Sequence, residues 1–300
     1  MDINTIDATE REAVFAFASI RDLVNQALKI TPPAIQPVSH GLTTGFHQLD
    51  LAISGFQKGK LSTIAVRPGM GKTALLLSFV NNLAIKNNYT VAVFSAERSS
   101  EKMTSRLIET ETGMSVDKLK KGSLKDSERD HMISMVNNIA KAKIFLDDTP
   151  SLSIDEFIKK SRQLKILHNV DVIFIDYLEL LTTSIMDTTP RPEQLNSIVA
   201  GIKDIAVELN LPVVLFSQMP IPMDSPANNT RPGIKDLPVY LSELSDILLI
   251  LHRPVSAPES LTEQQAKSMV ELIIARNNQG NHASVVPLRF VESIAKFVDF

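Results

Sequence analysis

Short runs of β-branched and aliphatic residues recur along this chain, and the central ones are apolar at consecutive rather than alternate positions. Strands with that pattern are buried on both faces. The runs fall at residues 61–66, 90–95, 143–146, 171–176, 212–217, 246–252 and 269–276, and two more at 285–290 and 296–300 finish the chain. Helical stretches lie between them at 72–86, 100–111, 126–142, 154–168 and 193–209. Such alternation, with right-handed crossovers, predicts an α/β fold: a mainly parallel twisted sheet flanked by helices. The last short runs, joined by tight connections, predict an antiparallel extension. Composition agrees, because 300 residues with 44% hydrophobic and 22% charged residues describe a globular chain.

Several function classes drop out early. The absence of Cys removes disulfides, Cys-ligated zinc, iron–sulfur clusters and thiol nucleophiles, and is compatible with a reducing cytoplasm. A formal net charge of −3 excludes coating nucleic acid by bulk charge, so any such contact is local. Residues 1–7 are acidic and polar, unlike a signal peptide, and no apolar run reaches ~18 residues, so no membrane span is expected.

Residues 1–40 stand apart from the domain expected over 41–300. Val14, Phe17, Ile20, Val24 and Ala27 recur at three- and four-residue intervals, predicting an amphipathic helix. Pro32-Pro33 and Pro37 then mark an extended connection. The helix stripe must be buried, either on its own domain or on a neighbouring subunit.

In a parallel sheet, ligands bind outside the carboxyl ends of the strands. The run 61–66 leads directly into Arg67-Pro68-Gly69-Met70-Gly71-Lys72-Thr73-Ala74 and a helix, the strand–loop–helix context of a phosphate-binding loop. Gly69 and Gly71 let backbone N–H groups converge on phosphate oxygens, and the helix N-terminus adds partial positive charge. Lys72 can reach β- and γ-phosphates, and the Thr73 hydroxyl can ligate Mg²⁺. Val66 stands where the usual signature has its first Gly. The run VIFID ends in Asp176, a carboxylate at a buried strand tip that reads as the Mg²⁺-side acid. The run VAVFS is followed by Glu97, a candidate general base for the attacking water. The run VVLFS is followed by Gln218, placed to hydrogen-bond the γ-phosphate or that water. Four strand ends thus supply Lys/Thr, Glu, Asp and Gln to one edge.

With these segments in place, residues 41–300 resemble the RecA-like ATPase domain of the DnaB replicative DNA helicase family. The matching segments are GLTTGFHQLD (41–50), RPGMGKT (67–73), FSAE (94–97), FLDD (145–148), IFIDYLEL (173–180), ELNLPVVLFSQ (208–218) and, more weakly, ELIIARNNQG (271–280). Residues 19–30 resemble the family's linker helix, which packs on the adjacent subunit, and no segment resembling the family's helical N-terminal domain is expected within these residues. The resemblance implies a RecA-like P-loop NTPase that binds ATP and Mg²⁺ between subunits of a hexameric ring. It also implies single-stranded DNA in the channel, and helicase loaders or other replication proteins as partners. Lys72, Thr73, Glu97, Asp176 and Gln218 match the family's nucleotide-site residues. Arg276 stands at the position of a lysine that reaches the neighbour's ATP, and Asn278 replaces the arginine finger.

The segments expected to face DNA also depart from the family. Met219-Pro220-Ile221-Pro222 follows Gln218, and residues 236–246 lack the family's Arg and Gly. Arg191, Arg231 and Lys235 remain as local cations, either DNA contacts or solvated loop charges. Asp147-Asp148 are expected to order a loop, and His252-Arg253 to end a strand. Two readings follow: an ATP-hydrolysing helicase core, or a nucleotide-binding paralogue that regulates, loads or scaffolds a helicase.

Overall fold

A computed structural model describes residues 41–117, 121, 125–183, 189–219, 231–254, 262–278 and 284–300. The helix expected within 1–40 and the prolines expected at 220 and 222 lie outside the described residues.

Among the described residues, nine strands form one sheet in the order β3-β2-β4-β5-β1-β6-β7-β8-β9. They are β1 (Leu61–Val66), β2 (Val91–Ser95), β3 (Ile144–Asp147), β4 (Val172–Asp176), β5 (Val213–Gln218), β6 (Ile247–His252), β7 (Met269–Asn277), β8 (Val285–Val291) and β9 (Lys296–Asp299). Pairing from β3 through β6 is parallel. From β6 to β9 it is antiparallel. The parallel order and the antiparallel extension both match the expectation. The apolar runs behave as predicted too, since every residue of β1, β2, β4 and β6 is buried.

The helices are α1 (His47–Ile53), α2 (Lys72–Val80), α3 (Ser100–Thr112), α4 (Asp126–Lys141), α5 (Ile154–His168), α6 (Arg191–Glu208), α7 (Val239–Leu244) and α8 (Glu263–Ser268). Two layers of core lie on opposite faces of the sheet. Val172 and Phe174 of β4, with Val214 and Phe216 of β5, pack among residues of α1, α2 and α3 and Phe297 of β9. Ile173 and Ile175, with Val213 and Leu215, pack against α5, α6 and α7. That split follows from the two-residue period of a strand.

Helix α2 is buried along all but its first residue, as a helix enclosed on every side must be. It continues as a π-helical turn over Asn81–Lys86, so the stretch expected at 72–86 forms in two parts. Helix α6 starts two residues before the expected 193, because Pro192 needs no hydrogen-bond acceptor in a first turn. Sequence periodicity misses α1, α7 and α8, each of seven residues or fewer. Ile234–Asp236, shortly before α7, forms a 3-10 turn.

The candidate nucleotide site at the strand ends

Strand β1 pairs with β5 on one side and β6 on the other, so the loop after Val66 emerges from the middle of the sheet. Gly69 has φ 77° and Gly71 φ 96°, left-handed conformations that suit glycine. At Gly71 the fit is steric as well, because a Cβ there would lie 3.0 Å from the Phe297 ring. The turn delivers Lys72 to the first position of α2, where amides without intrahelical partners face outward. A cavity of about 470 Å³ opens over this loop. It is lined by Thr73 and Ala74 of α2, Glu97 beyond β2, Gln218 of β5 and Phe290 and Ala295 from the antiparallel end.

Lys72 is the hub. Its Nζ lies 2.6 Å from Asp176 Oδ1 and 2.8 Å from Glu97 Oε2. It also sits 3.3 Å from the centroid of the Tyr177 ring. Register explains why both acids arrive together: β2 and β4 pair with Ser95 opposite Asp176, so the two strands end at the same level.

The two carboxylates differ electrostatically. Asp176 has no solvent exposure. Burial pushes its carboxyl above the ordinary value, with Lys72 opposing. Burial also acts to raise Glu97, but Lys72, then Arg98 and Arg106, outweigh it and hold that carboxyl below its ordinary value. Glu97 is therefore an ionised, partly exposed base, while Asp176 is a buried acid.

Triphosphate and Mg²⁺ fit these residues. The glycine turn and helix N-terminus form an anion cradle, and Lys72 supplies a cation within it. Asp176 Oδ2 is buried without a hydrogen-bond partner among the described residues, an orphaned acceptor next to the cradle. The described residues contain no cluster of three or more His, Asp or Glu able to hold a metal. Mg²⁺ normally takes one or two protein ligands and completes its shell with phosphate oxygens and water, so Thr73 and Asp176 suffice as candidates.

The family model "DnaB-like helicase C terminal domain" matches residues 41–299. The chain belongs to this family. A probable replicative DNA helicase of Trieres chinensis is 31% identical over 95% of this chain and 63% of its own length. The replicative DNA helicase DnaB of Geobacillus stearothermophilus is 29% identical over 99% of this chain and 65% of its own. The chain thus spans a little under two-thirds of the length of these relatives. Among solved structures, one described as an ATPase domain matches with a TM-score of 0.79 and 26% identity. That match covers 95% of this chain and 99% of the other. A DnaB-like replicative helicase, described with its interactions with primase, also has a TM-score of 0.79 and 26% identity, covering 97% of this chain and 70% of that one.

Within this DnaB-like domain, Arg67, Pro68, Gly69, Gly71, Lys72, Thr73, Ala74, Glu97 and Gln218 line one cavity. Met70 instead packs against the apolar core. Arg276 is not brought to this chain's own loop. Strand β7 runs antiparallel to β6, with Ile247 opposite Asn277 and His252 opposite Glu271, so Arg276 lies at the sheet edge away from Lys72. Its guanidinium donates to the Ser242 carbonyl, and its Nε donates to Asn278 Oδ1 at 2.8 Å.

The remaining expectations divide. Asp147 accepts from the Thr149 N–H and pairs with Lys160, and Asp148 accepts from the Ser100 N–H at 2.8 Å, so both order the loop as expected. His252 is buried at the end of β6, and burial with the nearby Arg67 holds its pKa below the ordinary value. Arg191 is tied to its own chain rather than left as a solvated loop charge, because it donates to the Glu179 and Leu181 carbonyls at 2.9 and 2.8 Å. Arg231 pairs with Glu271 at 3.0 Å, and Lys235 is exposed.

Sequence reasoning missed Arg98, Arg106 and Glu179. Arg98 directly follows Glu97, and a basic residue beside a candidate base was a readable signal. Glu179 lies between two leucines in the run LEL, which carries no sign of its contact with β5.

Proposed function

We propose that this chain is the motor domain of an ATP-hydrolysing DnaB-type helicase, cytoplasmic, that translocates on single-stranded DNA as a head-to-tail, hexameric ring. Residues 1–40 act as its linker and 41–300 as its ATPase domain. The observation that carries the reading is Lys72 held between Asp176 at 2.6 Å and Glu97 at 2.8 Å beside the glycine turn.

ATP with Mg²⁺ supplies the phosphoanhydride bond and the charge that polarises it. Loop amides and Lys72 Nζ hold the anionic oxygens. Thr73 Oγ1 and Asp176 are the groups that would hold the metal. Glu97 is ionised at neutral pH and accepts a proton from the attacking water at its carboxylate. The Gln218 side chain orients that water or the terminal phosphate and begins the segment that answers to nucleotide state. Arg276, at the opposite sheet edge, reaches the site of a neighbouring subunit, an arrangement that head-to-tail contacts permit. Helicase loaders or other replication proteins are the accompanying partners.

The test is ATP turnover by the purified protein with and without single-stranded DNA, alongside native mass measurement. Wild type should form a ring and respond to DNA. Lys72→Ala should lose nucleotide affinity and turnover, because it removes the cation from the cradle and leaves Asp176 unpaired. A second reading, a nucleotide-binding regulator or scaffold, is favoured by one feature: Arg276 is engaged by Ser242 and Asn278 within its own chain. ATP binding without DNA response or assembly would select that reading.

A further inference from the structure

We propose that Glu179 is a positioning residue that takes the place of a missing strand neighbour and sets Gln218 at the mouth of the nucleotide cavity. The register between β4 and β5 runs from Ile173↔Val213 to Ile175↔Leu215 and stops there. The last two residues of β5, Ser217 and Gln218, remain paired with β1 alone, opposite Ala65 and Val66. On the side that β4 has vacated, Glu179 supplies the partners. Ser217 Oγ donates to its Oε1 at 2.6 Å, and the Gln218 N–H donates to its Oε2 at 3.1 Å. One carboxylate thus replaces the backbone acceptor of a lost ladder pair and adds a second bond.

The bracket is stiff at its base. Leu178 and Leu181 are buried on either side of Glu179, and the turn Leu178–Leu180 is closed by the Leu181 N–H donating to the Leu178 carbonyl at 3.0 Å. Arg191, at the start of α6, holds the Glu179 carbonyl, so the backbone is clamped while the side chain clamps β5. The residue that follows β5 is fixed too, since the Met219 N–H donates to the Val66 carbonyl at 2.9 Å. The chain at Gln218 is therefore held on both sides by its backbone, and Gln218 lines the cavity. Burial raises the Glu179 carboxyl, and Ser217 and Gln218 stabilise its ionised form, which is consistent with an acceptor at both oxygens.

The effect on turnover rests on the role proposed above for Gln218, whereas the effect on the β5 end does not. Glu179→Ala should lower kcat on the order of 10- to 100-fold, as displacement of a catalytic group by about an ångström can, with affinity for a fluorescent ATP analogue nearly unchanged. Glu179→Gln should restore most of the rate. Its amide oxygen accepts from the Gln218 N–H, and its NH₂ donates to a Ser217 hydroxyl that turns to accept. In a Gln218→Ala background, Glu179→Ala should add less than about twofold, because both changes act through one side chain. Hydrogen exchange of the peptide spanning 213–219 should quicken in Glu179→Ala and not in Glu179→Gln.

Multiplicative losses in the double variant, a rate loss explained wholly by weaker nucleotide binding, or unaltered exchange at 213–219 would each overturn the proposal. If Glu179→Ala does not fold, Ser217→Ala removes one of the two bonds while the Gln218 N–H still pairs the carboxylate, and serves the same comparison. If wild type turns over no ATP, the motor reading fails while the exchange experiment still decides the positioning role.

Discussion

At the scale of single residues, one lysine organises two carboxylates of different character. Asp176 is sealed from water and would be costly as a lone anion, so Lys72 matters to folding as well as to the nucleotide binding proposed for it. Glu97 is instead kept ionised by surrounding cations: Lys72 first, then Arg98 at 3.5 Å and Arg106. Sign follows directly. A base with a lowered pKa stays deprotonated as pH falls below 4.5, the ordinary value for its carboxyl, and stops working only at lower pH. Arg98→Ala removes one of those cations, so the acid limb of kcat/KM for ATP should move to higher pH. Measuring the pH–rate profile of both proteins checks this, and an unmoved limb would mean that Arg98 does not tune Glu97.

At the scale of elements, helices and strands meet through a few large side chains. Helix α5 docks by Phe157, fully buried and edge-on to Phe94 of β2 at 4.9 Å. Phe157→Ala should destabilise the fold by about 3–5 kcal/mol, read as a lower urea midpoint with an unchanged slope. This scale also shows what sequence discloses. The strands were legible because consecutive apolar residues admit few other structures, and the four site-bearing strand ends were legible because each places a polar group after such a run. The antiparallel extension from β7 was legible from short connections. Helices α1, α7 and α8 were not, because two turns or fewer carry too few apolar repeats to show a period. Glu179 was illegible as a partner of Gln218 for another reason: its role depends on where β4 and β5 stop pairing, a non-local fact with no signal in LEL itself.

At the scale of the whole molecule, the sheet divides its labour between two edges. Carboxyl ends of the parallel strands carry the nucleotide cavity. The amino ends are pinned by Asp246, whose carboxylate accepts from the buried Leu61 N–H at 2.9 Å and is paired with Lys203 of α6 and Lys60. Asp246→Ala leaves that N–H without an acceptor and two lysines without their shared anion. The loss should be about 2–3 kcal/mol in urea unfolding, with nucleotide affinity unchanged below the transition, because the site lies at the other edge. A change in affinity as large as the change in stability would show that the two edges are coupled.

The position of Arg276 at the pinned edge has a further consequence under the proposed assembly. Each copy carries half of one catalytic junction at one flank and half of another at the opposite flank, and completes neither by itself. Dilution alone would then silence a protein that remains folded and saturated with ATP.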